Sequence, residues 1–360
     1  MLQTADIELL RDLVAMRAVS ADVAAVNRSV DRMKKHLEGH GLHLVVEEVD
    51  GRKVLYASSR KGRKPALLLN AHLDVVPAID EDQYELAEPE AGWLGGRGTG
   101  DCLGNAVLAA RVLIDHAKEF DIGAIFNSDE EIGGRTARAM VERGYGARRA
   151  ILVIDSGYGC VVIGHKGALV LKVTAHGKGG HSAHPAALDN PIDKLVTGYR
   201  RLLRSWRNPS SDRDWRDSME ACIIGGGTTK NQVPDTAELT LNFRYIRDSH
   251  RDRIIERVRR ATGCEVSVLS DTPPVNISPK YPELVTLRKI MARNLPDCQV
   301  EFTRTCGTTD GRHFAACKVP LAMIGTKDRG VHGRREAVNV AALEAVGRIL
   351  VEFGAAVAAD

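Results

Sequence analysis

Histidines and carboxylates recur in this chain where folding could gather them. His72 and Asp74 close the apolar run "LLLNAHLD", and Asp101 follows "GGRGTG". Asp129, Glu130 and Glu131 stand in a row in "FNSDEEIGG", Asp155 ends "ILVID", and His332 lies in a Gly-rich stretch after "PLAMIG". Three adjacent carboxylates at the end of a buried run repel one another and are costly to bury without a cation. Carboxylate oxygens and imidazole nitrogens suit zinc, manganese or cobalt, and the absence of paired cysteines argues against a thiolate site. Each piece also has a plainer reading. The acids of "SDEE" fit the first turn of a helix, where the dipole favours them. His72 and Asp74 fit a local hydrogen-bonded pair. Asp101 fits a helix N-cap, and Asp155 the cap of a turn. These readings leave one thing unexplained, the placement of the pieces on consecutive strand ends.

Helical patterns cover Thr4 to Arg17 and Val23 to Glu38, with strand-like segments near Leu42 to Glu48 and Val54 to Ser58. "PALLLNAHLD" is continuously apolar, as in a strand buried on both faces. A loop rich in acids, Pro and Gly leads to "GGRGTGDCLGNAVLAARVLIDHAK", whose second half has helical spacing. The strand before "SDEEIGG", a helix near Arg135 to Arg143 and the strand "AILVID" complete an alternation of strands and helices. This predicts an α/β mixed sheet with helices on both faces, and open α/β sheets collect reactive groups at the carboxyl ends of strands. After about Gly164 the order becomes β-α-β-β-α-β, the ferredoxin-like arrangement. It is followed by a linker, "DTPPVNISPKYP", and a return to the α/β pattern. The expected domains are therefore a catalytic domain in two parts, 1–164 and 276–360, with an inserted ferredoxin-like α+β lid or dimerisation domain at 165–275.

Bulk properties exclude several classes. The chain has 360 residues, a formal net charge of +3 and seven cysteines without CxxC pairs. That length suggests two domains. The Arg-rich stretches are interrupted by acids and apolar residues, which fits solvated helix faces rather than a nucleic-acid arm. Low aromatic content argues against a base-stacking platform. No apolar run reaches a membrane span, and the N-terminus lacks the pattern of a secretion signal, so a cytoplasmic protein without membrane attachment is expected. "GGRGTGDCLG" superficially resembles a dinucleotide fingerprint, but no buried strand precedes it and no suitably placed ribose-binding acid follows.

The ordered set "HLDVVP", "GRGTGD", "SDEEIGG", "IDSG", "GKGGHSAHP", "GTTDGRHFA" and "GVHGRREAVN" resembles the co-catalytic di-zinc exopeptidase and deacylase family. That family includes acetylornithine deacetylase, succinyl-diaminopimelate desuccinylase, aminoacylase, glutamate carboxypeptidase and tripeptidase relatives. The resemblance implies two divalent metal ions, zinc first, with cobalt or manganese as alternatives. His72 and Asp155 would bind one ion, Glu131 and His332 the other, and Asp101 would bridge them. Glu130 would act as general base on a metal-bridging water, and Asp74 would hydrogen-bond the far nitrogen of His72.

The resemblance also places an oxyanion donor at His181, with His184 as its neighbour, and leaves His176 as a packed strand residue. Asn231, Arg244, Gly325 and Thr326 become substrate-binding residues, Arg244 as a bidentate grip on a carboxylate. Its alternative is an exposed salt-bridging Arg. Leu103 stands where many relatives carry a lysine, and Cys102 reads as a packing residue rather than a ligand. Asp rather than Glu at position 155 tilts the substrate toward a small peptide, whereas Arg244 and "GTTDGR" tilt it toward an N-acyl amino acid. The implied activity is hydrolysis of an amide bond in one of these two classes, by a homodimer formed through the inserted domain. The alternative is an inactive relative that binds amino-acid-like ligands or serves as a dimeric scaffold. All five implied ligands and Glu130 are present, which argues against it.

Overall fold

The structure, a computed structural model, describes residues 2–211 and 213–358. The chain divides into two compact units. The first runs from residue 2 to Ile163, through Ile277–Arg304, and from Thr309 to residue 358; the second comprises Gly164–Asn276 with Thr305–Thr308.

The first unit is built on a mixed sheet. Its centre is four parallel strands in the order Ile122–Asn127, Leu67–His72, Ala150–Ile154, Leu321–Ile324. Arg52–Ser58 and His43–Val49 extend one side antiparallel, and Val162 pairs antiparallel with Met323 on the other. Every residue of Leu67–His72, Ile122–Asn127 and Ala150–Ile154 is buried, as their unbroken apolar character requires of strands covered on both faces. Helices Thr4–Ala15, Val23–Leu37, Gly104–His116, Pro282–Asn294 and Val340–Ala358 share one apolar cluster with the sheet. Arg135–Glu142 and the short helix Gly311–Phe314 lie against the other face.

Two regions differ from the sequence expectation. The stretch read as a loop contains Ala87–Glu90 and Trp93–Gly95, which join Ala337–Asn339 and Asp328–Arg329 in a small antiparallel sheet. Strands of two to four residues are too short for a period to register, and the pairing that joins the two halves, Trp93–Gly95 with Ala337–Asn339, spans more than 200 positions. The stretch read as the linker "DTPPVNISPKYP" carries Val275–Asn276, paired antiparallel with His165 and Gly164.

The second unit is a four-stranded antiparallel sheet in the order Ser218–Gly226, Thr236–Tyr245, Gly167–His176, Glu265–Thr272. Helices Pro191–Ser205 and Asp248–Thr262 cover one face and share its core with Leu169, Leu171, Leu241 and Phe243. Burial alternates along Gly167–His176 and Thr236–Tyr245, as a sheet with one open face demands. The edge strand Ser218–Gly226 is the exception. Only Met219 on it is buried, and Ile223 and Ile224 stand exposed.

Candidate metal centre

Parallel strands end side by side, so their carboxyl ends deliver side chains to one place. His72 is the last residue of its strand, Asp155 follows Ile154, and the turn Glu130–Ile132 follows the strand ending at Asn127. Asp101 sits in the irregular turn Thr99–Leu103, and its side chain caps no helix. His332 comes from the loop between Asp328–Arg329 and Ala337–Asn339, with a left-handed φ of 60°. A β-carbon residue holds that conformation only where its surroundings impose it.

These side chains converge. His72 Nε2 lies 2.9 Å from Asp101 Oδ1 and 3.6 Å from Asp155 Oδ1. His332 Nε2 lies 2.9 Å from Glu131 Oε1 and 3.2 Å from Asp101 Oδ2. Asp101 thus offers one oxygen toward each imidazole. His72 with Cys102 and Asp155, and His72 with Asp101 and Glu131, each place three ligand atoms within 4.8 Å of one another. The Cys102 thiol is pushed up to about 12 by burial, and it engages the main chain of His72, whose N–H donates to Sγ at 3.1 Å. A neutral thiol bound to backbone fits packing rather than ligation.

The electrostatics describe a site short of positive charge. Burial, then the nearby Asp155, pushes Glu130 up to about 8. Burial and Asp101 push Asp155 up to about 7. Burial also raises Asp101, but His332 and His72 outweigh it and hold that carboxyl well below its ordinary value. Contact with Asp101, against the effect of burial, raises His332 to about 9, with Glu131 adding to the rise. Crowded carboxylates, two of them raised by burial and by one another, beside two imidazoles are a donor set suited to divalent metal, whose binding would displace the protons they hold.

Buried side chains around this set hold it in place. His72 Nδ1 lies 2.9 Å from the main-chain oxygen of Asp74 and 3.4 Å from its carboxylate. The Asp74 carboxylate chiefly organises the acidic turn, accepting N–H bonds from Glu130 at 3.0 Å and Glu131 at 3.3 Å and the Ser20 hydroxyl at 2.6 Å. Asp129 accepts the Thr136 N–H at 3.1 Å and so secures the start of the helix Arg135–Glu142. Glu336, buried against Arg97, accepts the N–H groups of Gly100 and Asp101 at 3.1 and 3.2 Å. Glu336 and Arg97 lie inside "GVHGRREAVN" and "GRGTGD", yet nothing local marks them as partners 239 positions apart. Gly325 and Thr326 are buried at the end of Leu321–Ile324, where a β-carbon on Gly325 would meet the Ser156 backbone at 3.0 Å.

The remaining candidates belong to the second unit. His181 is exposed on a two-residue strand opposite Gln232, and its Nδ1 accepts the Ala183 N–H at 3.1 Å. The His184 ring centroid is 5.9 Å from that of His181. Asn231 is exposed, and its main-chain oxygen accepts the Ser182 N–H at 3.1 Å. Arg244 is half-buried on Thr236–Tyr245, out of phase with buried Leu241, Phe243 and Tyr245, and no carboxylate pairs with it among the described residues. His176 is not packed: it is exposed and pairs with Glu265 at 2.9 Å, because it ends the buried alternation of its strand.

A mixed α/β sheet with converging acids and imidazoles at its strand ends, interrupted by a ferredoxin-like unit, defines a metallohydrolase class. The chain belongs to peptidase family M20/M25/M40, which matches residues 68–355. Its fold is similar to that of aminopeptidase PepT from Bacillus cereus, with a TM-score of 0.80, 15% identity and 99% of each chain covered. It is also similar to a family M20 metallo-carboxypeptidase from Sulfolobus solfataricus, with a TM-score of 0.77 and 15% identity over 98% of this chain and 99% of that one. The YxeP protein of Bacillus subtilis, described as a dinuclear metal-binding peptidase, gives a TM-score of 0.72 and 16% identity over 98% of each chain. No helix among the described residues is long and apolar enough to cross a membrane.

Proposed function

We propose that this protein is a di-metal-dependent hydrolase of an amide bond in a small peptide or an N-acyl amino acid. The observation that carries the reading is Glu130. It stands next to Glu131 in the same turn, yet its carboxylate contacts neither imidazole, so it remains available beside the donor set. A closed structural site has no use for such a spare carboxylate.

His72 and Asp155 would hold one cation, Glu131 and His332 a second, with Asp101 shared. Two divalent ions bound there, zinc first or cobalt or manganese, supply the positive charge that activates water and polarises a carbonyl. The chain does the rest. Glu130 accepts the proton of the attacking water and returns it to the leaving nitrogen. Asp74 holds the N–H groups of Glu130 and Glu131, which fixes the turn that presents both carboxylates. Glu336 does the same for Asp101. His181 is assigned to donate to the oxyanion, supported by an exposed imidazole on a short, registered strand. Arg244 is assigned to a substrate carboxylate, supported by its free guanidinium on the open face of the second sheet. Asn231, Gly325 and Thr326 complete the substrate side. The first unit is the catalytic domain and the second the lid and dimerisation domain. Seven free thiols support a reducing, cytoplasmic setting.

The test is to strip the protein of metal, reload it with zinc or cobalt, and assay it beside Glu130→Ala. The panel pairs free-amino di- and tripeptides with N-acetyl and N-succinyl amino acids. Cleavage of either class, lost in Glu130→Ala at unchanged metal content, supports the reading and names the substrate class. Two bound metals with no cleavage of any panel member would overturn it.

A further inference from the structure

Behind Glu130 lies a buried polar cluster that the chemistry above does not use. Arg312, in the short helix Gly311–Phe314, has a side chain only 5% exposed. Its Nη1 lies 3.6 Å from Glu130 Oε1, and its Nη2 lies 3.5 Å from Asp310 Oδ1. Arg312 Nη2 and Asp310 Oδ1 are both buried without a hydrogen-bond partner among the described residues. A buried polar atom that makes no hydrogen bond is costly, so these two demand a reason.

Asp310 is fixed in place. Asn127 Nδ2, at the end of a central strand, donates to its Oδ2. Gly134 has a left-handed φ of 64°, and a β-carbon there would overlap Asp310 Oδ1, so the main chain closes over the carboxylate. Arg312 Nε is held as well, donating to His313 Nε2 at 3.1 Å. The guanidinium is therefore held by a hydrogen bond at Nε and by the charge of Asp310 at 3.5 Å from Nη2, and its Nη1 corner faces Glu130. With its side chain only 5% exposed, Arg312 meets the proposed machinery at the Glu130 carboxylate.

We propose that Arg312 is a positioning residue that, anchored by Asp310, holds the Glu130 carboxylate in the orientation from which it takes the proton of the attacking water. This rests on Glu130 being the base. A misplacement of about 1 Å at a catalytic group can cost on the order of 100-fold in rate.

The test uses metal-loaded wild type, Glu130→Gln, Arg312→Gln and the double variant, with Arg312→Lys as the conservative replacement. Arg312→Gln should lower kcat about 10- to 100-fold with KM and metal content unchanged, and Arg312→Lys should recover part of it. In the Glu130→Gln background, Arg312→Gln should change kcat by less than about twofold, because the two act as one unit. Equal losses in both backgrounds, or a raised KM at unchanged kcat, would overturn the proposal. Thermal melting of the same four proteins reads the pair without turnover. Non-additive Tm shifts support the Arg312–Glu130 contact and additive shifts refute it. If wild type cleaves no substrate, the hydrolase reading fails by itself while the melting cycle still decides the contact.

Discussion

The Asp74 carboxylate accepts the main-chain N–H of Glu130 at 3.0 Å. One buried side chain two residues past the end of the His72 strand thereby sets the turn, after the neighbouring strand, that carries both the proposed base and a proposed ligand. Asp74→Ala removes both acceptors, and the turn should lose its fixed position. The expected result is a 10- to 100-fold weaker metal affinity, the usual order for loss of a supporting carboxylate, with hydrolysis falling in step. Asp74→Asn keeps one acceptor oxygen and should fall between. Metal titration of the stripped proteins measures this, and wild-type affinity in Asp74→Ala would refute the role.

Glu336 and Arg97 form a fully buried ion pair under the Asp101 turn. Removing one partner leaves the other charge buried and unpaired, which typically costs about 3–5 kcal/mol. Glu336→Ala should therefore unfold at markedly lower denaturant than wild type and also bind metal less tightly, since Asp101 loses its N–H acceptor. Arg97→Met combined with Glu336→Leu should regain much of the stability but not the metal affinity. Urea unfolding beside metal titration separates the two effects.

The residues that point into the site were legible because each sits at the end of an apolar run, and burial and strand period are local properties. His72, Glu130, Glu131 and Asp155 could be placed at strand ends without knowing the strand order. The groups that hold them were not. Ser20, Glu336, Arg97, Asp310 and Arg312 act through contacts made across long stretches of chain, and a buried Arg or Glu looks like any surface charge until its partner is known. The ferredoxin-like unit could be read because its strands are long enough to alternate. The small sheet that carries the His332 loop could not, because its strands are only two to four residues long.

Metal removal should reverse the normal effect of alkaline pH on stability. In the metal-free site Glu130 titrates at about 8 and Asp155 at about 7, both above their values in an unfolded chain, and His332 is raised to about 9. All three bind more protons folded than unfolded over the intervening range, so each stabilises the fold below its unfolded pKa and loses that contribution as pH rises through its folded value. The stripped protein should therefore become steadily less stable from about pH 5 to about pH 9. Adding a divalent cation should remove the decline and release protons at neutral pH. Urea midpoints across this range, with and without zinc, and proton release followed in weakly buffered solution check both statements. A flat profile for the stripped protein would show that the acids do not share one site.

Among the described residues, no strand of its sheet lies beyond the edge strand Ser218–Gly226, which presents Ile223 and Ile224 with 67% and 63% of their surfaces exposed. Monomeric proteins protect such edges with charges, bulges or prolines, because an open apolar edge pairs readily with another strand. Cys222 marks a bulge in the pairing with Thr236–Tyr245, but no charge interrupts the run from Ala221 to Gly226. The occupant expected here is the same strand of a second copy, antiparallel across a two-fold axis, which continues the four-stranded sheet into eight. Ile223→Lys with Ile224→Lys places like charges opposite one another at such an interface. Sedimentation should report about twice the chain mass for wild type and a single chain for the double variant, while circular dichroism stays unchanged. A wild-type protein that sediments as a monomer at tens of micromolar would rule this interface out.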